Sequence, residues 1–272
     1  MEKKPLLRAW NALGRVDAKL SGDSLPGTGG DAVLMFHSIG DGGFDDISPS
    51  VFRSLIARLN ETVRFVDLPE LFRTDAEKRR VALTFDDGYK GYHNNVVPIL
   101  AEFDAPSTVF VVASTLETGS TTVDESVRKH SMSPEQVATV ANKNLVTIGN
   151  HTLTHPNLQS ITSRERLREE IVCAKTTIED KIGTSVDRFC YPYNNVSREA
   201  VAVVRECHEW ATAGGGWETV LSVDTNPYLI PRVNAARPWW RVRWHLLDRG
   251  THLARGADEL QAFVAWVLGQ TP

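Results

Sequence analysis

From residue 32 onward the chain alternates short apolar runs with helical patterns, and that alternation restricts it to few folds. The runs are AVLMFHSI from Ala32, TVRFV from Thr62, RVALTF from Arg80, STVFVV from Ser107, LVTIG from Leu145 and DRFCYPY from Asp187, with WATAG and YLIPRV as shorter candidates. Between them lie helical stretches: Ser48 to Asn60, GYHNNVVPILAEF, one opened by the capping box Ser133-Pro134-Glu135-Gln136, one begun by Thr162-Ser163-Arg164-Glu165 and stopped at Gly183, and SREAVAVVRECHEW. Parallel strands need such crossovers. Seven or so β/α units without an internal repeat therefore predict an α/β protein whose parallel sheet is closed or nearly closed into a barrel.

In 272 residues one large catalytic domain is expected, spanning 31–272 after an N-terminal segment, 1–30. Within that segment Leu6, Trp10, Leu13, Val16 and Leu20 have helical spacing, and SGDSLPGTGG reads as a linker. The helix could lie at a membrane interface, although packing on its own domain is the plainer expectation. There is no apolar run of signal-peptide length, so a cytoplasmic chain, peripheral at the inner membrane surface at most, is expected. Three cysteines (Cys173, Cys190, Cys207) are too few for a disulfide framework, and a net charge of −4 gives no reason to expect nucleic acid as a partner.

Loops after the C-terminal ends of barrel strands build active sites, and the chemically capable residues of this chain stand there. His37 ends AVLMFH, Asp86-Asp87-Gly88 ends RVALTF, His151 and His155 follow LVTIGN, and Tyr191 to Tyr193 end DRFCYPY. Adjacent acids at the end of an apolar strand are costly unless cations or donors meet them. His151-Thr-Leu-Thr-His155 can aim two imidazoles at one point, on a helix or in a compact loop. One carboxylate and two imidazoles from different strand ends suit a divalent ion with positions left open for water and substrate.

Thr84-Phe85-Asp86-Asp87-Gly88-Tyr89, then His151-Thr-Leu-Thr-His155, then Tyr191-Pro192-Tyr193, resemble the successive motifs of the polysaccharide deacetylases (NodB homology domain, carbohydrate esterase family 4) over roughly residues 32 to 232. The resemblance implies a distorted (β/α) barrel that hydrolyses N-acetyl groups on amino sugars of a polysaccharide or lipid-linked glycan. It implies one divalent ion, zinc first, with cobalt, nickel or manganese as alternatives. Carried onto this chain, it makes Asp87, His151 and His155 the metal ligands and Asp86 the general base toward a metal-bound water. The Tyr193 backbone N–H would then help to bind the oxyanion. VLMFHSI resembles a branch, including deacetylases of exported poly-N-acetylglucosamine, in which an early histidine supplies the acid; that points to His37, with His245 and His252 as alternatives.

The chain also departs from the common pattern. Cys190 stands where many members have an arginine, and Asn194 replaces a frequent glycine, so the arginine beside the base is left to Arg188 or Arg232, with Arg232 preferred. The tail RPWWRVRWHLLDRG interleaves tryptophan with basic residues, which suits sugar stacking or a membrane interface, or else packing under the barrel. Other functions to weigh are a different C–N amide hydrolase on this scaffold and a non-catalytic glycan-binding protein.

Overall fold

The computed structural model describes residues 30–73, 78–117, 123, 125–214, 220–222 and 224–247, together with Arg15 and Leu25. The N-terminal amphipathic helix expected over residues 6–20, Arg15 apart, lies outside these, as does His252.

Eight strands form one sheet in which every strand-to-strand ladder described is parallel. They are β1 (Ala32–Phe36), β2 (Arg64–Phe65), β3 (Arg80–Phe85), β4 (Ser107–Val111), β5 (Val146–Asn150), β6 (Arg188–Cys190), β7 (Trp210–Thr212) and β8 (Val233–Asn234). The order is β7-β6-β5-β4-β3-β1-β8, and β2 pairs with the start of β3 below β4. Barrel closure is nearly complete, because Ile230 bridges to Thr212 in β7 while Val233 pairs with Leu34 in β1. The stretch from Ile230 to Val233 thus spans the gap. The regular strand there is shorter than YLIPRV suggests, since Pro231 has no N–H to give to a ladder.

Strands β1, β3 and β4 are buried at every position, as expected where helices cover one face and the barrel interior the other. Helix α1 (Pro49–Asn60) shows how the sequence builds this core. Ser48 caps it by accepting the Val51 N–H, Pro49 sits in its first turn, and Phe52, Leu55, Ile56 and Leu59 form its buried stripe. Phe52 meets Phe36 edge-on at 5.2 Å, and Phe36 stacks on Phe85 at 5.1 Å. Burial of each such ring stabilises the fold by about 1.5–3 kcal/mol.

Two helices differ from their expected form. The segment after Gly91 begins with a π-helical turn, Tyr92–Val96, before α2 (Val97–Ala101), because Pro98 can neither donate to the ladder nor fit its ring into a regular turn. The helix expected from Ser163 to Gly183 is α5 (Arg164–Arg168), a π-helical turn Glu169–Cys173, and α6 (Ala174–Ile182); Gly183 ends it at φ 74°. Helices α3 (Glu125–His130), α4 (Pro134–Ala141, with the expected capping box) and α7 (Arg198–Cys207) complete the crossovers.

The tail forms α8 (Trp239–Leu246), which buries Val242, Arg243, Trp244 and Leu246 against the barrel. The Arg58 guanidinium lies 5.2 Å from the Trp239 ring and that of Arg15 lies 5.3 Å from the Trp240 ring. Much of the Arg/Trp motif is therefore packing within the chain. Among the described residues no helix is long and apolar enough to cross a membrane.

Candidate metal centre and catalytic cleft

The sequence-expected residues His37, Asp86, Asp87, His151, His155 and Tyr193 line one cleft of about 470 Å3 at the C-terminal ends of the strands. Parallel pairing brings them together. The register aligns Phe36 with Phe85, which sets His37 beside Asp86, and β5 delivers His151 two strands away from β3.

Asp87 Oδ1 lies 3.4 Å from His151 Nε2 and 3.3 Å from His155 Nε2. The His151 Nδ1–H donates to the Cys190 carbonyl at 2.9 Å, which turns Nε2 toward the Asp87 carboxylate. Burial, and then the neighbouring His151, push the His155 pKa down to about 4, so its ring is neutral near pH 7. Asp87 is buried, which disfavours its charge, yet the hydrogen bond and charge of His151 and then the charge of His155 hold its carboxyl below the usual range. Two atoms each ~2.1 Å from a zinc ion at the tetrahedral angle lie about 3.4 Å apart, so this donor set fits a small divalent ion. Asp87, His151 and His155 could hold it.

Asp86 faces the same space but is differently paired. Arg232 grips it from β8's leading edge, Nη1 to Oδ1 at 2.7 Å and Nη2 to Oδ2 at 2.8 Å. Burial raises the Asp86 pKa, but the charge of Arg232, then His151, outweighs it and the group stays ionised. Arg232 also donates to Cys190 Sγ at 3.1 Å and Asn194 Oδ1 at 3.2 Å. Of the two arginines the sequence offered, Arg232 thus meets the acid, whereas Arg188 binds Asp67. Cys190 is a buried cysteine whose Sγ accepts from the guanidinium.

His37 Nε2 is 3.8 Å from Asp86 Oδ2, and its ring meets Phe44 edge-on at 5.0 Å. His245 stands on α8, half-buried, and does not line the cleft. Tyr193 sits at φ 56°, is 62% exposed as a residue, and has its ring 4.7 Å from the His155 ring. Of seven non-glycine residues with positive φ among those described, five (Asp87, Thr152, His155, Tyr193 and Asn194) belong to this site. Each costs on the order of 1–3 kcal/mol and persists only where surroundings impose it.

Sequence reasoning missed Phe44, 64% exposed at the cleft's edge, and Glu170, wholly buried behind the His151–His155 loop. Phe44 had a signal: a large apolar residue in the polar loop GDGGFDD after a strand. Glu170 had none, for RERLREE reads as a solvated helix face.

The sequence profile of the family described as Polysaccharide deacetylase matches residues 73–208. The poly-beta-1,6-N-acetyl-D-glucosamine N-deacetylase of Escherichia coli K12 is 24% identical over 250 residues, covering 75% of this chain and 36% of its own. The chain spans between about a third and three fifths of the length of the curated relatives it matches. Among solved structures, IcaB from Ammonifex degensii superposes with a TM-score of 0.69 at 23% identity, covering 82% of this chain and 100% of that one. The Streptococcus pyogenes deacetylase PplD, in complex with acetate, gives 0.64 at 19%, covering 76% and 93%. These likenesses establish the barrel fold. The matched residues extend from the approach to β3 through the end of α7 and include the acid pair and the histidine loop, and on that match the chain belongs to the polysaccharide deacetylase family.

Proposed function

We propose that this chain hydrolyses the N-acetyl group of an amino sugar within a polysaccharide or lipid-linked glycan, using one divalent ion held by Asp87, His151 and His155. The observation that carries the reading is the division of labour between adjacent acids: Asp87 faces two imidazole nitrogens, while Asp86 faces an arginine and His37. A bound divalent ion, zinc being the first choice, polarises the acetamide carbonyl and lowers the pKa of nearby water. Asp86 is the general base that accepts the attacking water's proton. Arg232 fixes both of its oxygens and keeps it ionised in a buried place, so the base is pre-aimed. His37, beside Asp86, protonates the departing nitrogen, since an amine anion is too poor a leaving group to depart alone. The backbone N–H of Tyr193, on a turn held at positive φ, is the donor proposed for the developing oxyanion.

Acetate release from N-acetylated oligosaccharides, lipid-linked sugars and O-acetyl esters, with chelator and metal add-back, tests this. Release from the N-acetylated sugars should stop with chelator, return with zinc, and be abolished in Asp86→Ala while zinc stays bound. Full activity in that variant would remove Asp86 as the base.

A further inference from the structure

The loop carrying His151 and His155 is held by its own side chains and by contacts from outside rather than by helical hydrogen bonds. The Thr152 N–H donates to Asn150 Oδ1 at 2.9 Å, and the His155 N–H to Thr152 Oγ1 at 3.0 Å. Between them, the Leu153 N–H donates to the Glu170 carbonyl at 2.9 Å and the Thr154 N–H to the Glu170 carboxylate at 2.8 Å. The Thr154 hydroxyl donates to the other carboxylate oxygen at 2.7 Å. Glu170 thus receives three of the loop's donors, and Arg166, one turn earlier, supplies the cation at 2.6 Å.

Glu170 is fully buried. An apolar side chain would fill that space at less cost in desolvation, so what the carboxylate adds is acceptors. The loop needs them. Thr152 at φ 71° and His155 at φ 60° have left-handed backbone, and Thr152 is β-branched, so the tetrad would not keep this shape unaided. Glu170 stands in the π-helical turn that interrupts α5 and α6, and the next carbonyl, of Ile171, accepts Asn150 Nδ2 at 2.8 Å. A widened turn at the back of a site is a recurrent way to aim groups at a functional loop.

We infer that Glu170 is a positioning residue: a buried clamp that sets the separation of His151 and His155 and so the affinity of the site for a divalent ion. The inference rests on the metal-centre reading above.

The test is the zinc Kd of the full chain, by competition with a chromophoric chelator, beside the thermal midpoint of the zinc-free protein. Glu170→Gln keeps the size but turns one acceptor into a donor, and zinc should bind 10–100-fold more weakly, as for other groups that support metal ligands. Thr154→Val removes a single donor and should weaken binding by roughly 10-fold at most, which keeps the test open where Glu170→Gln yields no folded protein. The double variant should be little worse than Glu170→Gln alone, because both act through one contact. A lowered midpoint with Kd within about twofold of wild type in both variants overturns the clamp and leaves Glu170 structural. Wild-type protein that takes up no zinc overturns the metal-centre reading itself, and the clamp with it.

Discussion

Arg232 does at the residue scale what the common pattern assigns to a neighbour on another strand. The bidentate grip on Asp86 is almost wholly shielded from solvent, so removing one partner leaves an uncompensated charge. Arg232→Ala should therefore cost about 3–5 kcal/mol of stability by urea denaturation, together with most of the activity. Arg232→Lys should recover part of the stability but little of the activity, because an ammonium cannot hold both oxygens at once. Equal activity in the lysine variant would mean that charge alone, not aim, matters. Phe44 makes a separate prediction. Its loop is braced by Gly40 and Gly91 N–H bonds to Asp46 and Asp41 and by Asn234 to Asp45, so its exposed ring is presented in a fixed place. Phe44→Ala should raise KM for acetylated oligosaccharides by roughly 10-fold, the value of one lost aromatic contact, and Phe44→Trp should restore it. An unchanged KM would leave Phe44 as a cover for His37 only.

Elements explain why some of this was legible in the sequence. The acid pair and the histidine loop each sit on one strand end, so adjacency in sequence is adjacency in space. Asp86 and Arg232 are 146 positions apart and meet only through the β3-β1-β8 order, which periodicity cannot supply. Glu170 was invisible because its inward turn comes from one widened helical turn inside a charged segment. The same coupling of elements produces a pH effect behind the histidine loop. His208, just after α7, accepts from Asn150 Nδ2 at Nε2 (3.2 Å) and contacts Cys207 Sγ through Nδ1 (3.2 Å). Burial, then the charge of Lys175, pushes its pKa down to about 3. The unfolded chain takes up this proton below about pH 6.5 and the folded chain does not. The stability it contributes is thus full above pH 6.5 and is lost as pH falls toward 3, at up to about 1.4 kcal/mol per pH unit. Between pH 7 and 5 His208 should account for about 2 kcal/mol of the loss, so the urea-midpoint curve of His208→Gln should be shallower than that of wild type by about this amount. An equally steep curve in the variant would place the titration elsewhere.

For the whole molecule, the proposed ligands tie β3 to β5 across β4, so an ion at the centre would bind the closed sheet and have no site of comparable geometry in the unfolded chain. Binding to the native state alone must raise stability by mass action, about 2.7 kcal/mol at a zinc concentration 100 times Kd. For a chain of this size that is a rise of roughly 5–11 °C in Tm. A scan of the protein with chelator and with added zinc measures it. The two adjacent acids then separate cleanly, since Asp87→Ala and His155→Ala should each erase the zinc-dependent rise, whereas Asp86→Asn should keep the rise and lose catalysis, with Tm lowered alike with and without zinc because Arg232 loses its counter-charge. If Asp86→Asn also erased the rise, both acids would be ligands, and the base would have to be sought among the other groups of the cleft, His37 first.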